Sequence, residues 1–284
     1  MASFVKKRIQ STQEIDALLN YEMESPPERT VIFAHARSGS TTLYRVLQLH
    51  PQMNVALEPF WHGYAKEDPG ERNYVDFIDD VPSLEKALDD LFAKYNGIKI
   101  LSYQLPEKLY THLLLSPDVT VIFLQRANLL RAEVSGCIAE QTKVWQISDL
   151  NEETGHIYRS LKPVFLKKIE DGLEYAKELR GYYNSVIERR ATGTYRKVYY
   201  ENLYVGDLGA NRAAAREIFE FLGLELPRCD ELDYHLDPRT SKINTPESYA
   251  LLPNANEINE RFGNDDTGWL FGDDDVGALV ETRV

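Results

Sequence analysis

Apolar residues in this chain fall in short unbroken runs, separated by longer stretches in which they recur at helical spacing. Residues 31 to 36, opening "VIFA", predict a buried strand, and Leu43, Val46 and Leu47 share one face of a helix over 40–49 that Pro51 ends. A short strand from Asn54 to Leu57 leads into "EPFWH", and helical spacing returns from Ser83 to Tyr95. "GIKILSY" (97–103) predicts a third strand, followed by a helix over Glu107 to Leu115. "DVTVIFLQR" (118–126) predicts a fourth strand, and Leu130, Val134, Cys137, Ile138 and Trp145 form the stripe of a long helix from Asn128 to Trp145. A charged helical stretch covers 160–190 with breaks expected near Gly172 and Gly181. "YRKVYYENL" (195–203) is the last strand, and Arg212 to Leu222 is helical. Strands alternating with helices predict an α/β fold, a three-layer sandwich whose central, mainly parallel sheet is flanked by helices on both faces. Before it, residues 1–29 read as a short amphipathic helix (Ile15, Leu18, Leu19) and a linker closed by Pro26-Pro27; after it, residues 271–284 read as an acidic, flexible tail.

Composition narrows the function only a little. Hydrophobic content of 43% and charged content of 27% are those of a soluble globular protein. No stretch approaches the roughly 20 apolar residues of a membrane helix, and the N-terminus lacks the apolar core of a secretory signal. Two distant cysteines, Cys137 and Cys229, are expected to be reduced thiols of a cytoplasmic protein. A formal net charge of -13 points away from nucleic acid and mildly favours a neutral or cationic small-molecule acceptor. The six histidines have no metal-ligand spacing, and no metal is expected. Oligomeric state is left open, a homodimer included.

The chemistry gathers where ligands bind in such sheets, at the carboxyl ends of the strands. "HARSGSTT" joins the first strand to a helix and is P-loop-like, but it lacks the second glycine and the lysine of G-x-x-x-x-G-K-[ST]. Arg37 precedes Gly39 instead, and Ser38, Ser40, Thr41 and Thr42 supply hydroxyls beside the backbone N–H groups of a helix start, which favour an anion. Arg126, at the end of the fourth strand, and Ser135, on the following helix with Arg131 one turn before it, form a second candidate anion site.

Together these segments resemble the sulfotransferases that use 3'-phosphoadenylyl sulfate (PAPS). "RSGSTTL" is similar to their 5'-phosphosulfate loop. "RANLLRAEVS" followed by "EQTKVW" is similar to the 3'-phosphate element of the bacterial carbohydrate branch, of nodulation-factor and trehalose type. "LEPFWH" and "VYYENL" are similar to the Glu-Pro segment and the "Y-E-D-L" strand end of such enzymes. The resemblance covers about residues 30 to 205 and implies a sulfotransferase domain over 30–270. It implies that residues 37 to 42 hold the 5'-phosphosulfate of PAPS and that Arg126 and Ser135 hold the 3'-phosphate. Arg37 and Arg126 must then lie close enough to clasp two ends of one nucleotide. Ala127 stands where an acidic residue is common in the family. "DPRTSKINTP", with Arg239 and Lys242, is the candidate for the basic loop that many members fold over the 3'-phosphate.

Sulfuryl transfer to a hydroxyl needs a group that takes the proton. The resemblance gives that role to Glu58, with Arg37 stabilising the leaving phosphate; His62 and His35 are rival bases. Trp61, His62, Tyr64 and Tyr103 are candidates for the acceptor side, and Lys99 and Gln104 stand beside the third strand. Two other readings stay open at this point: a phosphoryl transferase of nucleotide-kinase type on the same fold, and a non-catalytic module that holds adenosine 3',5'-bisphosphate (PAP).

Overall fold

A computed structural model describes residues 29–61, 78–146, 149 and 156–272. Five strands, β1 (Thr30–Ala34), β2 (Val55–Leu57), β3 (Gly97–Leu101), β4 (Thr120–Gln125) and β5 (Tyr195–Tyr199), pair in the order β2-β3-β1-β4-β5, all of them parallel. The three inner strands read "TVIFA", "GIKIL" and "TVIFLQ" because both of their faces are covered. On one face Val31, Phe33, Ile98, Ile100, Val121 and Phe123 pack under α2 (Val81–Phe92), α3 (Glu107–Leu115) and the end of α5 (Leu166–Ile187). On the other, Ile32, Ala34, Ile122 and Leu124 pack under α1 (Ser40–Gln48) and α7 (Leu208–Phe221). The alternation is that of a pleated strand, in which successive side chains leave opposite faces. The expected three-layer α/β sandwich is the observed architecture.

A third cluster lies beside these layers. There α4 (Leu129–Thr142) and α5 enclose Val134, Ile138 and Ile169 together with Tyr249, Leu252, Ile258, Phe262 and Leu270 from the C-terminal part of the chain. That part holds four short helices, α8 (Asp230–Leu236), α9 (Pro238–Ser241), α10 (Pro246–Ala250) and α11 (Ala255–Phe262), which no hydrophobic stripe in the sequence had announced.

Several boundaries differ from expectation. The last strand stops at Tyr199 rather than Leu203, and α6 (Tyr200–Tyr204) follows at once. Helix geometry places Tyr200 and Tyr204 on one face, where their rings meet at 5.2 Å. No break occurs at Gly172 or Gly181: α5 is continuous. A Cβ on Gly172 would stand 2.4 Å from a carboxylate oxygen of Glu133, so this glycine leaves room for the Glu133 side chain rather than ending a helix. Lys143 takes the left-handed conformation (φ 61°) and ends α4, so Trp145 lies beyond the helix and leaves its stripe. Residues 1–28 of the expected N-terminal helix and linker (1–29), His62, Tyr64 and the tail from 273 onward lie outside the described residues. Phe271 and Gly272, at the start of that tail, are described, and Arg131 donates to the carbonyls of Leu270 and Gly272. Among the described residues neither cysteine is in a disulfide, and no helix is long and apolar enough to cross a membrane.

One contact ties the sheet edge to the start of α4. The buried carboxylate of Glu201 accepts the N–H of Ala127 at 2.9 Å on one oxygen and that of Asn128 at 3.0 Å on the other. The Asn128 side chain in turn caps α4 by accepting from the Arg131 N–H at 2.8 Å. The glutamate of "VYYENL" thereby fixes the turn that carries Arg126. Glu201→Ala would leave two inward N–H groups without acceptors, at a cost of about 3 kcal/mol in urea unfolding. Glu201→Gln, which keeps one acceptor oxygen, should lose less. A Glu201→Ala protein as stable as the parent would contradict this role.

Candidate functional site

The turn after β1 is shaped by two left-handed residues. Arg37 has φ 60°, and Gly39, with φ 82°, is the residue before α1. A Cβ on Gly39 would lie 2.8 Å from a ring carbon of Tyr200 and 2.9 Å from one of Tyr204, so this position needs glycine both for its backbone and for the ring pair pressed on it. No side chain caps α1, and the first amides of the helix to reach backbone acceptors are those of Thr42 and Leu43, both on the Gly39 carbonyl. The earlier N–H groups have no intrahelical partner. Of the four loop hydroxyls, that of Ser38 is turned inward and donates to the His35 carbonyl at 2.7 Å, while Ser40, Thr41 and Thr42 line a cavity.

That cavity measures about 510 Å³ and lies at the carboxyl ends of β1, β2, β3 and β4. Arg37, Arg126 and Ser135 all line it. Arg126 donates to the Arg37 carbonyl at 3.0 Å and stacks its guanidinium 4.4 Å from the Tyr200 ring centre. The Arg37 side chain crosses to the other proposed anion site: its Nε donates to Ser135 Oγ at 3.0 Å, and its terminal N–H donates to the Trp145 carbonyl at 2.8 Å. The two sites read separately from the sequence are thus one continuous cationic wall. Ser135 Oγ also accepts from Asn244 Nδ2 at 2.9 Å. With both of its lone pairs engaged, the hydroxyl keeps its proton to donate. Arg126 Nε is buried without an acceptor among the described residues.

Lys242, Ile243 and Asn244 complete this end of the cavity. Lys242 is brought down to about 8, first by burial and then by the charges of Arg131 and Arg126. Arg239 is elsewhere: it is largely exposed and paired with Asp237 at 2.5 Å. Burial, and then Arg126, likewise lower the affinity of Arg37 for its proton. Of the candidates near α4, Arg131 does not line the cavity and serves the C-terminal segment instead. Ala127 contributes the backbone N–H that Glu201 holds.

At the opposite end stand Glu58, Lys99, Trp61 and Tyr103. Glu58 is buried and left-handed (φ 49°), and its carboxylate accepts from the Lys99 ammonium on one oxygen and from Gln104 Nε2 at 2.9 Å on the other. Trp61 and Tyr103, respectively 40% and 49% exposed, meet edge to face at 5.6 Å and form a right-angled aromatic corner. His35 does not line the cavity. Its Nδ1 lies 3.0 Å from Ser102 Oγ, its ring packs against Phe33, Phe123 and Tyr183, and burial followed by Arg180 brings it down to about 4.

Sequence reading missed Arg45, Trp145, Gln146 and Asp149, which wall the cavity beside α1, and Tyr200, Tyr204 and Tyr249, which floor its cationic end. Arg45 donates to Gln146 at 2.9 Å, and Asp149 accepts from the N–H groups of Trp145 and Gln146 at 2.8 and 3.0 Å. The signal for Trp145 was present, an apolar residue one turn past a helix end, but it read as core. Asn244 lies in the quoted "DPRTSKINTP" and was passed over for the two cations that precede it, Arg239 and Lys242. Among the described residues no group of three or more His, Cys, Asp or Glu side chains gathers as a metal site.

No protein-family model matches the sequence, and no curated protein matches it. Solved structures do resemble the chain. A sulfotransferase from Alicyclobacillus acidocaldarius is 15% identical with a TM-score of 0.42, over 84% of this chain and 94% of its own. The sulfotransferase domain of the Synechococcus PCC 7002 olefin synthase is 17% identical with a TM-score of 0.40, over 87% of this chain and 94% of its own. A retinol dehydratase, in complex with androsterone and the inactive cofactor PAP, is 16% identical with a TM-score of 0.37, over 81% of this chain and 67% of its own. At such identities and TM-scores these are likenesses in the course of the chain and carry nothing about the residues of the cavity.

Proposed function

We propose that this protein is a sulfotransferase that moves the sulfuryl group of PAPS to a hydroxyl of a small-molecule acceptor, releasing PAP. The observation that carries the reading is the meeting of Arg37, Arg126, Ser135 and Lys242 on one cavity wall, with a carboxylate and an open aromatic corner at the other end. The donor set fits an anion with two phosphate groups. The uncapped start of α1 with Ser40, Thr41 and Thr42 suits the 5' end, and the Ser135 hydroxyl, the unpaired Nε of Arg126 and Lys242 suit the 3'-phosphate. PAPS, when bound, supplies an activated sulfuryl group whose departure leaves charge on the 5'-phosphate. The loop amides would stabilise that charge, and Arg37 would join them by turning from the Ser135 and Trp145 acceptors that it reaches in this structure. Glu58 takes the proton of the acceptor hydroxyl. Trp61 and Tyr103 hold the acceptor by stacking, and the motif resemblance makes a carbohydrate hydroxyl the first acceptor to try.

Phosphoryl transfer is the second reading on such a fold, and it needs carboxylates free to hold magnesium. The cavity's described carboxylates, Glu58 and Asp149, already accept from Lys99 with Gln104 and from two backbone N–H groups. Assays with labelled PAPS and with labelled ATP plus magnesium separate the two readings. Transfer from ATP alone would overturn ours.

Two outcomes follow. Glu58→Gln should lower kcat by on the order of 10² to 10⁴ while the Kd for PAP stays within about threefold. An unchanged kcat would remove Glu58 from the mechanism. The second outcome concerns pH. Burial and the neighbouring arginines bring Lys242 down to about 8, and an adjacent phosphate raises its proton affinity. Its contribution to PAP binding is therefore complete below about pH 8 and fades as pH rises through the higher value of the complex. Calorimetry should show PAP affinity falling above pH 8 in the parent, with the slope absent in Lys242→Met. Equal slopes would exclude Lys242 from the nucleotide.

A further inference from the structure

Nucleotide binding does not account for Lys99. It lies at the centre of β3, between Ile32 of β1 and Leu57 of β2, and is 1% exposed. Its strand neighbours Ile98 and Ile100 are wholly buried. An ammonium in such a place is costly to desolvate, and an apolar residue would serve the sheet better. What the lysine does have is Glu58. Its ammonium donates to one carboxylate oxygen, and its main-chain carbonyl accepts the Glu58 N–H at 2.8 Å. Side chain and backbone thus hold the same partner. Gln104 occupies the second oxygen, and its own amide oxygen accepts the Leu101 N–H at 3.0 Å, so that donor is also fixed. Glu58 is one of three described non-glycine residues with positive φ, and Arg37, in the same cavity, is another. A left-handed glutamate is strained by about 1–2 kcal/mol, and strain of this kind persists where the surroundings over-determine it.

We propose that Lys99 is a positioning residue for the proton-accepting carboxylate: with Gln104 it fixes Glu58 in a buried corner and leaves the remaining lone pairs directed at the cavity. The proposal rests on the reading of Glu58 as the base. A carboxylate offers about four acceptor positions, of which two are occupied by fixed donors. In the step concerned the acceptor's O–H bond breaks, the proton bonds to a Glu58 oxygen, and the electron pair stays on the acceptor oxygen for attack. The groups that bear on the pair are few. Arg37, in the turn after β1, acts on the pair through its charge, Trp61 follows Glu58, and Tyr103 and Gln104 follow β3. Tyr110 of α3 lies beneath, bonded to the Leu101 carbonyl and to the N–H groups of Gln104 and Leu105. Arg45, Arg126, Lys242 and Asp149 belong to the farther walls. Burial above all, and Arg37 to a lesser degree, work against the charge on Lys99, whereas Glu58 supports it. An anion settling on Arg37 relieves that opposition, so the lysine is most firmly charged when the nucleotide is bound.

The test is a titration of the full chain, carrying glutamate labelled with ¹³C at the side-chain carboxyl, followed by NMR with and without PAP. The Glu58 signal is assigned by its loss in Glu58→Gln. Lys99→Met should move the Glu58 midpoint, and the acid limb of kcat/KM, upward by about one pH unit or more. PAP affinity should stay within about threefold, and Lys99→Arg should restore both profiles toward the parent. If Lys99→Met does not accumulate folded, Lys99→Gln is read in its place and must show the same displacement. A folded neutral variant whose Glu58 titration is unmoved overturns the proposal and leaves the reading of Glu58 as base intact. Full turnover in Glu58→Gln would overturn that reading instead, whatever Lys99 does.

Discussion

A chain of formal net charge -13 gathers five cationic side chains, Arg37, Arg45, Lys99, Arg126 and Lys242, around one cavity that only two described carboxylates share. Both carboxylates are already engaged, Glu58 by Lys99 and Asp149 by backbone N–H groups. Burial above all, and then the crowding of neighbouring cations, makes Arg37 and Lys242 hold their protons less tightly than they would in water. Such crowding is unfavourable by itself and is relieved by an anion of two or more charges. The electrostatic deficit is the constraint on which the rest of the site depends.

Keeping like charges together requires a stiff frame. Arg126 leaves the end of a central strand, and Glu201 immobilises the next two residues through their N–H groups. Tyr200 and Tyr204, from the same short helix as Glu201, press on Gly39 and so set the turn from which Arg37 projects. One five-residue helix therefore aligns both arginines. At the far end of the cavity the Lys99–Glu58–Gln104 clamp does the same for the carboxylate. Between the two ends the β1 turn presents its amides, and the aromatic corner of Trp61 and Tyr103 stays open to solvent.

The sheet was legible because its inner strands are buried on both faces and so appear as unbroken apolar runs bounded by turns. Helices with a clear apolar face, such as α1 and α2, were legible for the same reason. The four short helices after residue 229 were not, because none spans more than eight residues or buries more than three, too short a run for a helical stripe to register. Motif spacing placed Arg37, Arg126, Ser135 and Glu58 near one another, and all four line one cavity. Their mutual geometry was hidden. That Arg37 would reach Ser135 depends on how α4 lies over the β1 turn, a tertiary fact with no local trace. Lys99 was visible only as a polar interruption in a buried strand, and its partner lies 41 positions away. Arg239 and Lys242 looked alike in sequence, yet Asp237 draws one of them outward.

The central claim is that one wall of this cavity distinguishes a nucleotide with phosphates at both ends from one without a 3'-phosphate. Isothermal calorimetry with PAP, AMP and ADP, on the parent and on Ser135→Ala, tests it without needing the acceptor. The account predicts that PAP binds at least about tenfold tighter than AMP or ADP, a difference of about 1.4 kcal/mol, and that Ser135→Ala removes most of that preference. Equal affinities for the three nucleotides in the parent protein would contradict it.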